Sequence, residues 1–195
     1  MRIADPCPAC GLPRPCGVCA AEAPGWQLSG LRAPFVYAPP LSRFVQRLKY
    51  RRERWLGPIL GDLLAVGAGP MQVDALVPMP LHPARLRLRG YNQADELAQR
   101  VAACLGVKLL TAGIRRVQNC TPQTELGRAR RLGLDRSVFG VSRRLGGMRL
   151  AVIDDVATTG ASLNALAGAL RSAGARHVEA LVLARSLGPE GTQIG

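Results

Sequence analysis

The sequence predicts an α/β domain, a parallel sheet flanked by helices, with a small Cys-rich segment ahead of it. Three observations predict this class. Short apolar runs of strand length stand at 35–38 (FVYA), 73–77 (VDALV), 150–153 (LAVI) and 178–183 (VEALVL). Between them, apolar residues recur every three to four positions, the spacing of a helix with one buried face. Strands that alternate with helices are joined by crossovers, and crossovers make parallel βαβ units. With 195 residues, 48% of them apolar and 20% charged, the chain can bury a full core and is not a disordered polyelectrolyte.

Residues 1–24 form a first unit. Pro6, Pro8, Pro13, Pro15 and Pro24 break any long regular element there. Cys7, Cys10, Cys16 and Cys19 stand as C-x2-C-x5-C-x2-C, with Gly11 and Gly17 directly after the second cysteine of one pair and the first of the other. Each C-x2-C turn aims two sulfurs at one ion, which predicts a structural Zn2+ site that the segment needs in order to fold. The five-residue spacer is short for a zinc ribbon, and redox-active or incidental cysteines are the competing explanation. The N-terminus lacks the apolar core of a signal peptide and no apolar run reaches membrane-spanning length, so a cytoplasmic protein without membrane insertion is expected.

The second unit, 25–195, carries the sheet and helices. A strand at Phe35–Ala38 ends at Pro39-Pro40. Leu41, Phe44, Val45 and Leu48 then fall at helical spacing, followed by a second helix with Leu56, Ile59, Leu60, Leu63 and Leu64 expected on one face. The strand at 73–77 is stopped by Pro78 and Pro80, and 82–93 is expected to be a basic loop. Ala94, Leu97, Ala98, Val101 and Leu105 mark the next helix, with Cys104 expected in the core beside them. Strands are possible at 113–117 and 138–141, separated by a polar, basic loop at 118–136. The strand at 150–153 precedes a helix marked by Leu163, Leu166, Ala167 and Leu170, which ends near Gly174 before the final strand.

Charge is unevenly spread. The net charge is +13, carried by 24 arginines and only two lysines, Lys49 and Lys108. Residues 101–149 hold +8, and 150–195 hold −1. The middle of the chain would therefore attract phosphates, although each arginine taken singly suits an ordinary solvated surface. No G-x-S-x-G motif or Gly-Lys-Thr/Ser loop is present, and His82 and His177 form no triad pattern with a serine.

The chemistry concentrates where the strand at 150–153 meets the next helix. Asp154 and Asp155 are followed by Thr158, Thr159, Gly160 and Ser162. Ligands of such sheets sit at the carboxyl ends of the strands. Backbone N–H groups at a helix start favour an anion, and the hydroxyls add donors. The carboxylates would repel a phosphate and instead suit the donating hydroxyls of a sugar. A phosphate beside a diol describes a ribose 5-phosphate. The competing explanation makes Asp155 or Thr158 a helix cap and Asp154 a solvated strand end.

The run VIDDVATTGAS, 152–162, resembles the signature of type I phosphoribosyltransferases. CPACG with CGVC, YAPPLSRFVQRLKYRRE, VPMPLHPARLRLRGYNQADELA and TPQTELGRARR together resemble the ComF/GntX group, over almost the whole chain. That group includes proteins linked to DNA uptake in competent bacteria and proteins linked to gluconate use. The resemblance implies a type I phosphoribosyltransferase-like parallel sheet flanked by helices, with a small N-terminal zinc-knuckle segment. Carried over by position, it implies that Asp154 and Asp155 hold the ribose hydroxyls and that Ala157, Thr158, Thr159, Gly160, Ala161 and Ser162 wrap the 5-phosphate. Pro78, Met79, Pro80 and Leu81 would meet the pyrophosphate, with Arg85, Arg87 and Arg89 as nearby cations; which of the three points inward stays open. Residues 118–136 would be a loop that closes over the substrate.

What the resemblance implies chemically is attack at ribose C1 of phosphoribosyl pyrophosphate, with loss of pyrophosphate and Mg2+ as the metal partner. Purine-using relatives place a carboxylate at the position of Thr158, whose hydroxyl is a poor base, leaving amines, already-anionic nucleophiles or water as acceptors. Many relatives carry further C-x-x-C pairs upstream, so a reduced finger or a truncated start is expected. The competing function is a DNA-uptake or DNA-processing accessory protein that binds single-stranded DNA or other competence proteins, its pocket sensing a ligand or silent.

Overall fold

The computed structural model describes residues 1–14, 25–118 and 138–187. In chain order the elements are β1 (Gly30–Arg32), β2 (Phe35–Val36), α1 (Leu41–Tyr50), α2 (Leu56–Ala68), β3 (Ala75–Pro78), α3 (Pro83–Arg89) and α4 (Gln93–Leu105). They continue with β4 (Lys108–Leu109), β5 (Ile114–Arg116), β6 (Phe139–Val141), β7 (Arg149–Ala157), α5 (Ala161–Ser172) and β8 (His177–Arg185). Six parallel strands form the main sheet in the order β1–β8–β7–β3–β4, with β2 pairing further along β8.

Alternation along the central strands builds a core on each face. Leu150 and Val152 of β7, with Val178, Ala180 and Val182 of β8, pack in one cluster beside Leu163, Leu166 and Leu170 of α5. Ala151 and Ile153, with Leu181 and Leu183, pack in the other beside Leu48, Leu60 and Leu97 of α1, α2 and α4. Successive side chains leave a strand on opposite faces, so strands covered on both sides read as unbroken apolar runs.

Several expectations are corrected. The basic stretch after β3 is helix α3 rather than a loop. His82 Nδ1 accepts from the Ala84 N–H at 3.2 Å, Pro83 opens the first turn, and Gly90 closes the helix in the left-handed region. None of its residues is buried, so it has no apolar stripe to betray it. The strand at 150–153 runs on through Ala157, because β8 continues opposite it as far as Arg185. Asp154 and Asp155 therefore sit within β7, not beyond its end. β5 and β6 pair antiparallel with each other, outside the main sheet, and bury Ile114 and Phe139 against the α5-side core.

In α2 the buried stripe is Leu56, Leu60 and Leu64, while Ile59 and Leu63 face outward. The reason is two glycines at the crossing with α4. A Cβ on Gly57 would lie 2.8 Å from Glu96 Cβ, and one on Gly61 would lie 2.6 Å from Arg100 Cβ. The close backbone approach selects the glycine-containing face. Cys104 is exposed, its Sγ 4.0 Å from Asp62 Oδ1, because α4 turns Leu97, Ala98 and Val101 inward and leaves residue 104 on its flank. The loop expected at 118–136 lies outside the described residues apart from Gln118. Among the described residues no helix is long and apolar enough to cross a membrane.

Candidate functional site

At the carboxyl ends of β3 and β7 lies a cleft of about 260 Å³. Met79, Pro80, Leu81, Arg85, Arg89, Asp154, Asp155 and all of Ala157–Ser162 line it. Of the residues singled out in the sequence, the fold thus brings most to one place. Pro78 lines a neighbouring cavity of about 180 Å³ instead. Arg87 lines neither and is exposed. Residues four apart share a helix face, so α3 turns Arg85 and Arg89 to the cleft and Arg87 away from it.

The carboxylates differ in their surroundings. Asp155 is buried; its Oδ1 lies 2.8 Å from Lys49 Nζ, and its Oδ2 is buried without a partner. Asp154 Oδ1 accepts from the Asp155 backbone N–H at 2.8 Å. Asp154 keeps some solvent contact through the cleft, yet burial, reinforced by the Asp155 charge, raises its pKa to about 7, with Lys49 acting in the opposite sense. Burial works to lower the Lys49 pKa, but the facing Asp155 and Asp154 charges outweigh it and hold the ammonium above its usual value.

The loop after β7 presents backbone. Thr158 and Thr159 are exposed, and Thr159 Oγ1 accepts from the Ala161 N–H at 3.2 Å. Gly160 stands at φ +81°, where an L side chain is strained, and a Cβ there would also lie 3.1 Å from the Trp26 ring. It opens α5 without a side-chain cap, so the first N–H groups of that helix remain for an anion. Asn164 on the first turns of α5 receives the backbone N–H groups of Gln27 and Leu28 at 2.5 and 3.2 Å, which ties the helix start to the segment before β1.

Four contributors carry little signal in the sequence. Lys49 comes from α1 at the far end of a helix that reads as core. Gln93 Oε1 accepts from Arg89 Nη1, and its Nε2 is buried without a partner beside the cleft. Asn92 caps α4 and donates from Nδ2 to the Met79 carbonyl at 3.0 Å, pinning the turn after β3. Arg185, at the end of β8 and buried, donates to the carbonyls of Ala157 (3.0 Å), Thr158 and Cys10 (3.0 Å). It joins the phosphate-type loop to the Cys-rich segment. Burial lowers its pKa, against the influence of Cys10.

In that segment Cys7 and Cys10 are buried on one tight turn, closed by Gly11 N–H to Cys7 O at 2.8 Å and Cys7 N–H to Leu12 O at 2.7 Å. The turn is of the form that presents two sulfurs together. Cys16 and Cys19 lie outside the described residues. Among the described residues no cluster of three or more metal-ligating side chains forms.

No family model matches the chain. It is 33% identical over 193 residues to the DNA utilization protein YhgH of Salmonella typhimurium, covering 93% of this chain and 84% of that one. It is 29% identical over 181 residues to competence protein F of Haemophilus influenzae, covering 88% and 78%. Among solved structures, the purine phosphoribosyltransferase of Pyrococcus horikoshii superposes with a TM-score of 0.41 at 16% identity, covering 72% of this chain and 78% of that one.

Proposed function

This chain belongs to the ComF/GntX family, that of the DNA utilization protein YhgH and competence protein F, and from that membership we propose that its cleft binds phosphoribosyl pyrophosphate and transfers the phosphoribosyl group to an acceptor. The observation that carries this reading is the buried, unpartnered Asp155 Oδ2 beside Asp154, one turn of chain before a backbone-lined loop that opens α5. A buried carboxylate oxygen without a donor suits a ligand hydroxyl.

In this reading Asp154 and Asp155 accept from the ribose hydroxyls, and Lys49 holds Asp155 in place. The N–H groups of the Ala157–Ser162 loop and the hydroxyls of Thr158, Thr159 and Ser162 take the 5-phosphate. Arg85 and Arg89 face the pyrophosphate, and Gln93 Nε2 is a further donor for an anionic oxygen. These residues orient the pentose and place charge around C1 as it becomes oxocarbenium-like, with no covalent protein nucleophile. Magnesium, when bound with the pyrophosphate, supplies neutralisation of the leaving group, and Asp154 and Asp155 are the carboxylates at hand for it or its waters.

The N-terminal segment belongs to the same proposal as a structural Zn2+ knuckle held by Cys7, Cys10, Cys16 and Cys19. The buried Cys7–Cys10 turn fits one half of a four-thiolate site. Elemental analysis of the purified chain is expected to give one zinc per molecule. Cys10→Ser is expected to lose it and lower the thermal midpoint, and a zinc-free wild type would remove the knuckle.

A calorimetric titration tests the cleft. The chain with Mg2+ is expected to give a saturable one-to-one heat with phosphoribosyl pyrophosphate. The +13 charge and the family's DNA-utilization names favour a second reading, in which single-stranded DNA is the ligand. A chain that gives no heat with Mg2+ and phosphoribosyl pyrophosphate, yet binds single-stranded DNA with salt-dependent affinity, supports that reading and ends the first.

A further inference from the structure

The cleft does not end at the pentose position. Lys49, Tyr50, Arg85 and Arg89 also line a second chamber of about 480 Å³, completed by Arg52 and Leu88. Four of its six lining residues are cations and none is acidic. Tyr50 is 73% exposed, and its ring is flanked by the Arg89 guanidinium 5.6 Å from the centroid. Arg52 bridges from the segment after α1 to α3, its Nη2 donating to the Leu88 carbonyl at 3.1 Å. The walls thus come from two elements tied together, and one phenol ring is left bare in a rim of guanidinium groups.

We propose that this chamber is the acceptor's subsite and that it takes an aromatic acceptor bearing a negative charge, a ring carboxylate, with an unprotonated ring nitrogen as nucleophile; the inference rests on the pentose reading of the adjoining cleft. Three observations converge on that class. An exposed phenol beside a guanidinium suits the face of a planar ring. Arg52, Arg85 and Arg89 match a carboxylate's two oxygens. Thr158 stands where a carboxylate would be needed to strip a proton from a neutral heterocycle, so the acceptor must arrive with its lone pair free. The step then balances without a base. The ring-nitrogen lone pair forms the bond to C1, the C1–O bond breaks, and its electron pair leaves with pyrophosphate.

The test compares the three pyridine monocarboxylates with their carboxamides, a change of one charge at nearly constant shape. Binding to the full chain and pyrophosphate release from phosphoribosyl pyrophosphate with Mg2+ are both measured. The carboxylates are expected to bind roughly tenfold tighter, the worth of one charge-assisted hydrogen bond, and to drive the release. Arg52 lines only the second chamber and sits at φ 57°, which Asn tolerates. Arg52→Asn is expected to bring the carboxylate-to-amide ratio towards one while the affinity for phosphoribosyl pyrophosphate holds, and Arg52→Lys is expected to retain part of the ratio.

Amides that bind and react as well as the acids overturn the proposal. So does release with none of the six from a chain that binds phosphoribosyl pyrophosphate, or a ratio unmoved by Arg52→Asn. Loss of phosphoribosyl pyrophosphate affinity in Arg52→Asn assigns the chamber to the pyrophosphate and overturns it too. A chain that never binds phosphoribosyl pyrophosphate fails the pentose reading instead. Nicotinate titrated into that chain alone then decides the chamber: binding that Arg52→Asn removes keeps an aromatic-anion site, and no binding ends it.

Discussion

Asp154→Asn is expected to lose phosphoribosyl pyrophosphate binding and, at the same time, to make the folded chain more stable above neutral pH. The two effects have one origin. The folded-state pKa of Asp154 is raised to about 7 by burial and by the neighbouring Asp155 charge, against an ordinary carboxylate value in the unfolded chain. Between those two values the folded chain keeps the proton and the unfolded chain has released it. This group's contribution is therefore most favourable at low pH, declines as pH climbs from about 4 to about 7, and is level beyond. Asn carries no charge to bury, so the excess in thermal midpoint of the variant over the wild type should grow with pH and then flatten near neutrality.

Binding moves the other way. An amide donates where the ribose hydroxyls also donate, and the loss of one charge-assisted hydrogen bond costs roughly 10- to 100-fold in affinity. Asp155→Asn is expected to lose binding as well, but to destabilise, because it leaves the Lys49 ammonium buried without its counter-charge at 2.8 Å. Thermal melts from about pH 5 to pH 8 with calorimetric titration check both. Parallel pH profiles for Asp154→Asn and the wild type would sink the burial argument, and intact binding in both variants would sink the diol assignment.

The second large effect is at Arg185. Its guanidinium satisfies the carbonyls of Ala157, Thr158 and Cys10 from one buried position. Arg185→Ala strands all three at once, at about 1–3 kcal/mol for each acceptor left buried and dry. The expected result is a loss of several kcal/mol in unfolding free energy, together with faster amide exchange both in the 157–162 loop and around Cys10. Arg185→Met, which keeps the apolar stem, should recover the packing but not the protection. Slowed exchange at only one of the two segments would show that Arg185 does not couple them.

Much of this was legible along the chain. The apolar runs at 73–77, 150–153 and 178–183 are strands, as their length and flanking turns require, and the helices start where Leu41, Leu56, Ala94 and Leu163 begin their periodic stripes. The segment from Asp154 to Ser162 is contiguous, so its residues meet whatever the rest of the chain does. Errors arose where a local pattern had two outcomes. An all-exposed helix such as α3 has no stripe, and Gly57 and Gly61 choose the face of α2 through a contact with α4 that the sequence of α2 does not contain.

The sequence by itself determined the class of the fold and the loop that opens α5, because both rest on interactions between residues close in the chain. Only the tertiary structure decided which of the many cations matter. Lys49 opposite Asp155, Arg85 and Arg89 rather than Arg87, Arg52 at the second chamber, and Arg185 between loop and knuckle are set by which helix faces and strand ends converge at one edge of the sheet. In a chain with 24 arginines residue type carries little information. Position is what separates a solvated charge from one held against a carboxylate, a carbonyl or an aromatic face, because Coulomb attraction and desolvation act over a few ångströms of space and not along the chain.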